Sequence, residues 1–377
     1  MHRALAVYID FKSPYAYLAV EPTRRLAREL GINVDWVPFV LDIPSYLGSA
    51  RLDKSGEVAD QSRSANQWSM VKYAYFDCRR YASLRGQTIR GTVKIWDSNL
   101  AAIGMLWAKR QGDDILHRYI DGTYEPFWKR ELDVEDVAVV EGVLAGAGAE
   151  VNGFRHFCRN EGAAENDRIQ HAAFERGIFG VPSYVLGDEI YFGREHLPRI
   201  RWLLRGATGA CPDIAYELAP DAVVGAASDR TLGVGIARQE PESLLAIPAV
   251  LTMSRELGVA VSWYALPKTR PGRQPDADDQ SRGARHRRFR SANRKRDRNR
   301  YMAPGADGAD IERSVSELIE QNKISLQDGD VPDTWSAMGS APGYVGSPVF
   351  HLGDEVFVGR QHLPLIRARF EKLAASQ

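Results

Sequence analysis

The chain has 377 residues, with 49 Lys and Arg against 49 Asp and Glu, and 44% of it is apolar. A balanced charge gives no bulk attraction to nucleic acid or to an anionic membrane. No apolar run is long enough to span a bilayer, and the length exceeds that of one ordinary domain. The three cysteines, Cys78, Cys158 and Cys211, are scattered and form no CxxC pair, which fits a reducing compartment and argues against a dithiol redox centre. No secretory leader is read at the start, so a cytoplasmic location is expected.

In chain order, apolar residues run up to Phe11, a turn follows, and an amphipathic stretch continues to Gly31. This reads as strand, tight turn and helix. Ser13 fits the N-cap, Pro14 the first helical position and Gly31 the stop. Ser13 then stands at a helix N-terminus, where backbone N–H groups and the helix dipole favour an anion. Apolar spacing predicts helices over 69–84, 99–110, 134–144 and 165–176. Breaks are expected at 111–113, at Asp121-Gly122 and at 146–148. Residues 179–193 read as a hairpin with a Gly187-Asp188 turn, entered through a Val181-Pro182 bond that is a candidate cis peptide. A helix is predicted from His196 to about Leu204. Strand-turn-helix at the front and proline, hairpin and helix at the back frame an α/β, thioredoxin-like fold with an inserted helical domain at about 45–176.

The chain then repeats itself. Gly180-Val181-Pro182 through Ile200 matches Gly346-Ser347-Pro348 through Ile366 without a gap, at a shift of 166 residues (348 − 182). Glu29-Leu30-Gly31 and Trp36 recur as Glu256-Leu257-Gly258 and Trp263, at a shift of 227 (256 − 29). The second copy has therefore lost 61 residues of its middle (227 − 166). The expected organisation is a first domain at 1–207, a linker at 208–229 and a second, degenerate domain at 230–377 with a shortened insertion. Such a long unit is a tandem duplication rather than a solenoid. At the front of the second copy Glu240 replaces Ser13, Glu242 replaces Tyr15, and Ala237 replaces Asp10. A glutamate at that helix start would repel a bound anion.

Residues 282–300 are dense in arginine. Arg290-Ser-Ala-Asn293 repeats Arg63-Ser-Ala-Asn66, and Asp297-x-x-Arg300-Tyr301 echoes Asp77-x-x-Arg80-Tyr81. The run is therefore expected to be the counterpart of the first copy's leading insertion helix, with a solvated basic face and no nucleic-acid partner. A disordered loop is expected before it, at 268–283.

Asp10-Phe11-x-Ser13-Pro14-Tyr15-x-Tyr17-Leu18-Ala19, with Phe179-Gly180-Val181-Pro182 and Phe192-Gly193 downstream, resembles the 2-hydroxychromene-2-carboxylate isomerases. Those proteins, with the kappa-class glutathione transferases, form a DsbA-like branch of the thioredoxin fold. The likeness covers roughly the first 205 residues. It implies glutathione as the cofactor and Ser13 as the catalytic residue, its hydroxyl stabilising the thiolate. It implies that Val181, fixed by Pro182, presents its backbone to the cysteinyl unit. At the γ-glutamyl end, where the family shows a small polar residue and an aspartate, this chain has Arg194 and Glu195. Where the family places an asparagine, it has Gly48-Ser49-Ala50-Arg51. Lys12, Tyr15, Tyr73, Asp77 and Trp96 are candidates for the substrate cleft, with Lys12 beside the turn read as solvated. Recurrence of Arg194 and His196 in the second copy argues for structural roles there.

The resemblance implies a glutathione-dependent isomerase of a small, unsaturated aromatic keto-acid. A kappa-like transferase and a non-catalytic thioredoxin-fold binding module are the alternatives. No metal ligand spacing is present, and no membrane partner is expected. A homodimer or an internal pseudo-dimer is the expected pairing.

Overall fold

The structure, a computed structural model, describes residues 5–53, 55, 57–266, 279–302, 308–327 and 347–376. Strand β1 (Leu5–Ile9) lies at the centre of the first sheet, parallel to β2 (Val34–Pro38) and antiparallel to β5 (Ser183–Leu186), which turns into β6 (Glu189–Phe192). In β1 the alternation places Leu5, Val7 and Ile9 in the core. Helix α1 (Pro14–Leu30) starts as its residues dictate. Ser13 is extended, and its Oγ accepts the Ala16 N–H at 3.2 Å. Gly31 ends the helix in the left-handed conformation, at φ 60°. The Val181–Pro182 peptide is cis, as is Ser347–Pro348.

Between β2 and β5 the insertion begins with the short α2 (Pro44–Leu47) and a hairpin, β3 (Ala50–Leu52) and β4 (Val58–Gln61), neither of which the apolar spacing reveals. Six helices follow: α3 (Ala65–Ser83), α4 (Asn99–Lys109), α5 (Asp113–Trp128), α6 (Val137–Gly146), α7 (Phe154–Arg159) and α8 (Glu161–Glu175). Helix α5 corrects the break expected at Asp121-Gly122. It runs straight through, because Leu116, Tyr119, Ile120, Tyr124, Phe127 and Trp128 are all buried. That burial outweighs the roughly 1 kcal/mol that an internal glycine costs. The Tyr119 hydroxyl also pins α5 to α4 through the Ala101 carbonyl, at 2.9 Å. A 3-10 turn (Arg194–His196) and α9 (Leu197–Leu204) close the first half.

The second half repeats the frame. Strand β7 (Thr231–Ile236) is parallel to β8 (Ala260–Ala265) and antiparallel to β10 (Val349–Leu352), which pairs with β11 (Glu355–Val358). The order β8-β7-β10-β11 matches β2-β1-β5-β6, and β9 (Leu326–Gln327) is added outside β8. Helices α10 (Pro241–Leu257), α11 (Arg282–Tyr301), α12 (Gly308–Gln321) and α13 (Leu363–Ala375), with a 3-10 turn (Arg360–His362), complete it. The thioredoxin-like fold with an inserted helical region thus occurs twice. There are 144 residues between β2 and β5 and 83 between β8 and β10, a difference of 61. The loop expected at 268–283 lies outside the described residues as far as 278.

The halves exchange equivalent contacts. Arg80 on α3 donates to Glu355 (2.8 Å) and to the Val356 carbonyl (2.6 Å) and lies over Phe357. Arg300 on α11 donates to Glu189 and to the Ile190 carbonyl and lies over Tyr191. The Tyr81 hydroxyl is 2.9 Å from His362 Nδ1, and the Tyr301 hydroxyl is 2.8 Å from His196 Nδ1. Each insertion helix therefore packs on the other half's hairpin, as in an isologous dimer interface. These pairs are 220 residues apart (297 − 77, 300 − 80, 301 − 81). The Arg-Ser-Ala-Asn repeat is out of that register. Arg63 precedes the N-cap of α3, whereas Arg290 lies in mid-helix. The basic helix is also not simply solvated, since Arg300 and His286 are buried against the first half. One large apolar cluster joins both halves through Tyr81, Tyr216 and Phe357.

Candidate active site

A cavity of about 640 Å³ opens at the N-terminus of α1. Ser13 and Val181 line it, with Lys12, Tyr15 and Trp96 from the expected set. The Ser13 hydroxyl lies 3.5 Å from the Val181 carbonyl, at the long limit of a hydrogen bond. Among the described residues the Val181 peptide takes no part in a backbone hydrogen bond. Pro182 stands behind this lining, its carbonyl accepting Gly193 N–H at 2.9 Å.

Lys12 is buried, which corrects its reading as a solvated residue. Its ammonium donates to Ser98 Oγ (3.0 Å) and lies 3.4 Å from Asp10 Oδ2. Asp10 also accepts Ser98 Oγ–H (2.6 Å) and Leu41 N–H (2.7 Å). A buried charge needs this degree of pairing, so the triad fixes the turn that presents Ser13.

Tyr73 and Asp77 do not line the cavity, because the α3 face that carries them turns to the second half. The Tyr73 hydroxyl accepts the Val358 N–H at 2.8 Å and lies 3.3 Å from His362 Nε2. Asp77 accepts from Arg80 (3.0 Å) and from Tyr15 OH (3.1 Å). Burial raises its pKa, with Arg80 and Arg194 opposing. Arg194 and Glu195 also lie away from the cavity lining. Arg194 is buried over the Tyr81 and Tyr216 rings, at 4.5 and 4.0 Å. The half-buried Glu195 folds back over Gly193, where a Cβ would fall 2.2 Å from its Oε2. Burial pushes its carboxyl up to about 7.

The sequence reading missed Tyr46, Arg63, Trp68, Tyr75, Lys94, His286 and Arg290, all of which line the cavity. Ala50 stands in the lining from the stretch where the resembled family has its asparagine. Among the described residues the lining holds Lys12, Arg63, Lys72, Arg79, Lys94 and Arg290, many aromatic rings, and no aspartate or glutamate. It suits a flat anion. Ser13 and the Val181 peptide suit the thiol end of a peptide-like cofactor, whereas Arg194 and Glu195 are not placed to hold its other end. Among the described residues no group of His, Cys, Asp and Glu is arranged to hold a metal ion, and no helix is long and apolar enough to cross a membrane.

A helical insertion in a thioredoxin-like frame, with a serine and a cis-proline at one cavity, defines a DsbA-like class. A family model described as the DSBA-like thioredoxin domain matches residues 4–205, and the chain belongs to that family. It is similar to the 2-hydroxychromene-2-carboxylate isomerase of Pseudomonas putida, at 27% identity over 54% of this chain and 92% of that protein. It is similar to that of Sphingobium xenophagum at 26%, over 52% and 95%. Among solved structures, a 2-hydroxychromene-2-carboxylate isomerase is 24% identical with a TM-score of 0.41, over 55% of this chain and 94% of that one.

Proposed function

We propose that the chain is a glutathione-dependent isomerase of an unsaturated aromatic keto-acid, of the 2-hydroxychromene-2-carboxylate isomerase type. The observation that carries this reading is the cavity itself: Ser13 and a Val181 peptide outside the backbone hydrogen-bond ladder at one end, aromatic rings along it, and six cations with no carboxylate among the described lining residues. The relatives' names support the same class. Glutathione, when bound, supplies a thiolate nucleophile. Ser13 Oγ–H donates to that sulfur, and the α1 N-terminus adds its positive end. Val181 offers its N–H and C=O to the extended cofactor backbone. The Asp10–Lys12–Ser98 triad holds the turn, and the aromatic walls exclude water from the keto-acid.

The chain also reads as a tandem duplication divided at 208–229, in which the second half is a fused, degenerate partner. This pseudo-dimer would work in the cytoplasm, with Cys78, Cys158 and Cys211 as free thiols. One observation favours a second reading. Because Arg194 and Glu195 lie away from the cavity, the chain would be a binding module for an aromatic acid without glutathione.

The test is calorimetric titration of glutathione into wild type and Ser13→Ala across the thiol pKa, together with ultraviolet-monitored isomerisation of 2-hydroxychromene-2-carboxylate. Binding that strengthens with pH only in wild type, and turnover that needs glutathione, are expected. No heat at millimolar glutathione together with no turnover sinks the isomerase and leaves the binding module.

A further inference from the structure

Helix α11 belongs by sequence to the second half, yet it forms a wall of the first half's cavity. At its start Gly283 lies so close to α2 that a Cβ would fall 2.5 Å from the Ser45 carbonyl oxygen. Arg282 pairs with Asp42 at 3.3 Å, and Arg285 pairs with Glu175 at 2.8 Å. His286 stacks flat on Tyr46, with centroids 3.9 Å apart and planes 8° apart, and meets Phe179 edge-on. Phe179 begins the segment that presents Val181. His286 thus ties α11 to both the α2 wall and the cis-proline loop. One turn further on, Arg290 faces into the same cavity.

Arg290 stands out among the cations there. Lys12 is neutralised by Asp10, and Lys94 by Glu135. Lys72 and Arg79 are exposed. Arg63 gives its Nε–H to the Leu47 carbonyl at 3.2 Å. Arg290 is partly buried, and among the described residues neither a carboxylate nor a backbone carbonyl pairs with it. Burial first, and Arg294 next, lower its pKa to about 10, with Tyr46 opposing. A partly buried guanidinium without a counter-charge is stabilised by an anionic ligand, and its planar fork matches a carboxylate.

We propose that Arg290, supplied by the second half, binds the carboxylate of an aromatic acid in the first half's cavity and so sets specificity there. This deepens the isomerase reading and rests on it for the identity of the site. The second half then has a role in the reaction that its own lost serine conceals, because the first half's site is incomplete without α11.

The experiment uses the full chain and reads equilibrium binding of trans-cinnamate and of its uncharged analogue cinnamamide, by calorimetry. The variants are Arg290→Met and Arg290→Lys, with thermal melts to confirm folding. Wild type is expected to prefer the acid. Arg290→Met should lose about ten- to a hundredfold in affinity for cinnamate, with cinnamamide unchanged, and Arg290→Lys should recover part of the loss. If wild type does not prefer the acid, or if Arg290→Met weakens acid and amide alike, the proposal is overturned. Should Arg290→Met fail to fold, a Lys variant that binds both ligands as wild type does also overturns it. Glutathione titrated separately reports on Ser13, so a failure there leaves the acid–amide contrast intact.

Discussion

The starts of helices α1 and α10 are built from the same backbone and hold different chemistry. Both are extended at the N-cap, both carry proline next, and both end at a left-handed glycine. At α1 the cap is Ser13, beside a cavity. At α10 it is Glu240, and Ser243 and Ser347 close the space between helix and cis-proline loop with a short hydroxyl pair that also receives the Ala237 N–H. Glu242 is engaged by Arg360. What the halves share is therefore the frame and the contacts they exchange. The interface constrains both α3 and α11, whereas the cavity lies at the start of α1.

Breaking the exchanged contacts should have the largest effect. Asp77 and Arg80 are a buried pair, with 2% and 3% of their side chains exposed, whereas the matching Asp297 is 22% exposed. Asp77→Ala leaves the buried Arg80 guanidinium with Glu355 as its remaining carboxylate partner and should cost about 3 kcal/mol. Asp297→Ala should cost clearly less. Equal losses in urea melts of the two variants would show that burial does not distinguish the two sides.

Next is the chemistry. Ser13→Ala removes one donor to a developing or bound anion and should lower kcat about 10²- to 10³-fold. Glu240→Ser should confer nothing, because Ser243 and Ser347 fill the second site. Activity with 2-hydroxychromene-2-carboxylate in a Ser13→Ala, Glu240→Ser double variant would refute the assignment of the working half.

Both halves bury a histidine in the turn before their last helix. Burial lowers His196 to about 3 and holds His362 well below the usual range, with nearby arginines adding to both. Folded values below the unfolded 6.5 mean that the unfolded chain takes up protons first. Stability is therefore full above about pH 6.5 and is lost as pH falls from there. Melting temperatures between pH 7 and pH 4 should fall steeply, and His362→Gln should flatten the slope. A flat wild-type profile would show that these histidines are not held neutral.

Much of this was legible in the sequence, and what was missed has a physical pattern. Ser13, Pro14 and Gly31 act through local backbone geometry, so their places follow from a few neighbours. Val181 and Pro182 follow likewise from the hairpin they introduce. Tyr73 and Asp77 were drawn to the cavity because α3 does line it. Which of its faces does so depends on the second half, 285 residues away along the chain in the Tyr73–Val358 contact. The helical run of α5 through Gly122 was hidden because tertiary burial, not local preference, decides it. The place of Arg290 was hidden for the same reason. Its Arg-Ser-Ala-Asn motif matches Arg63 in letters, but the helix that carries it starts two turns earlier and reaches across to the other half.

The smallest expected effect comes from a substitution the second half already carries. Glu195 occupies the place of Gln361, each following an arginine and preceding a histidine, and each folds back over a glycine at positive φ, Gly193 and Gly359. Burial raises Glu195 to about 7, and the Asp297 carboxylate adds to this. Here the folded value exceeds the unfolded 4.5, so the folded chain holds the proton longer. Stability is full below about pH 4.5 and is lost as pH rises through 7, opposite in sign to the histidines. Glu195→Gln removes the charge while keeping the shape that Gln361 shows to be compatible with this turn. It should raise stability by less than about 1 kcal/mol at pH 8 and leave it unchanged at pH 4.5, read as the difference between melting curves of wild type and variant. A gain at both pH values would assign the effect to packing, and a loss at pH 8 would mean that the carboxylate makes a contact in the first half that the second half has dispensed with.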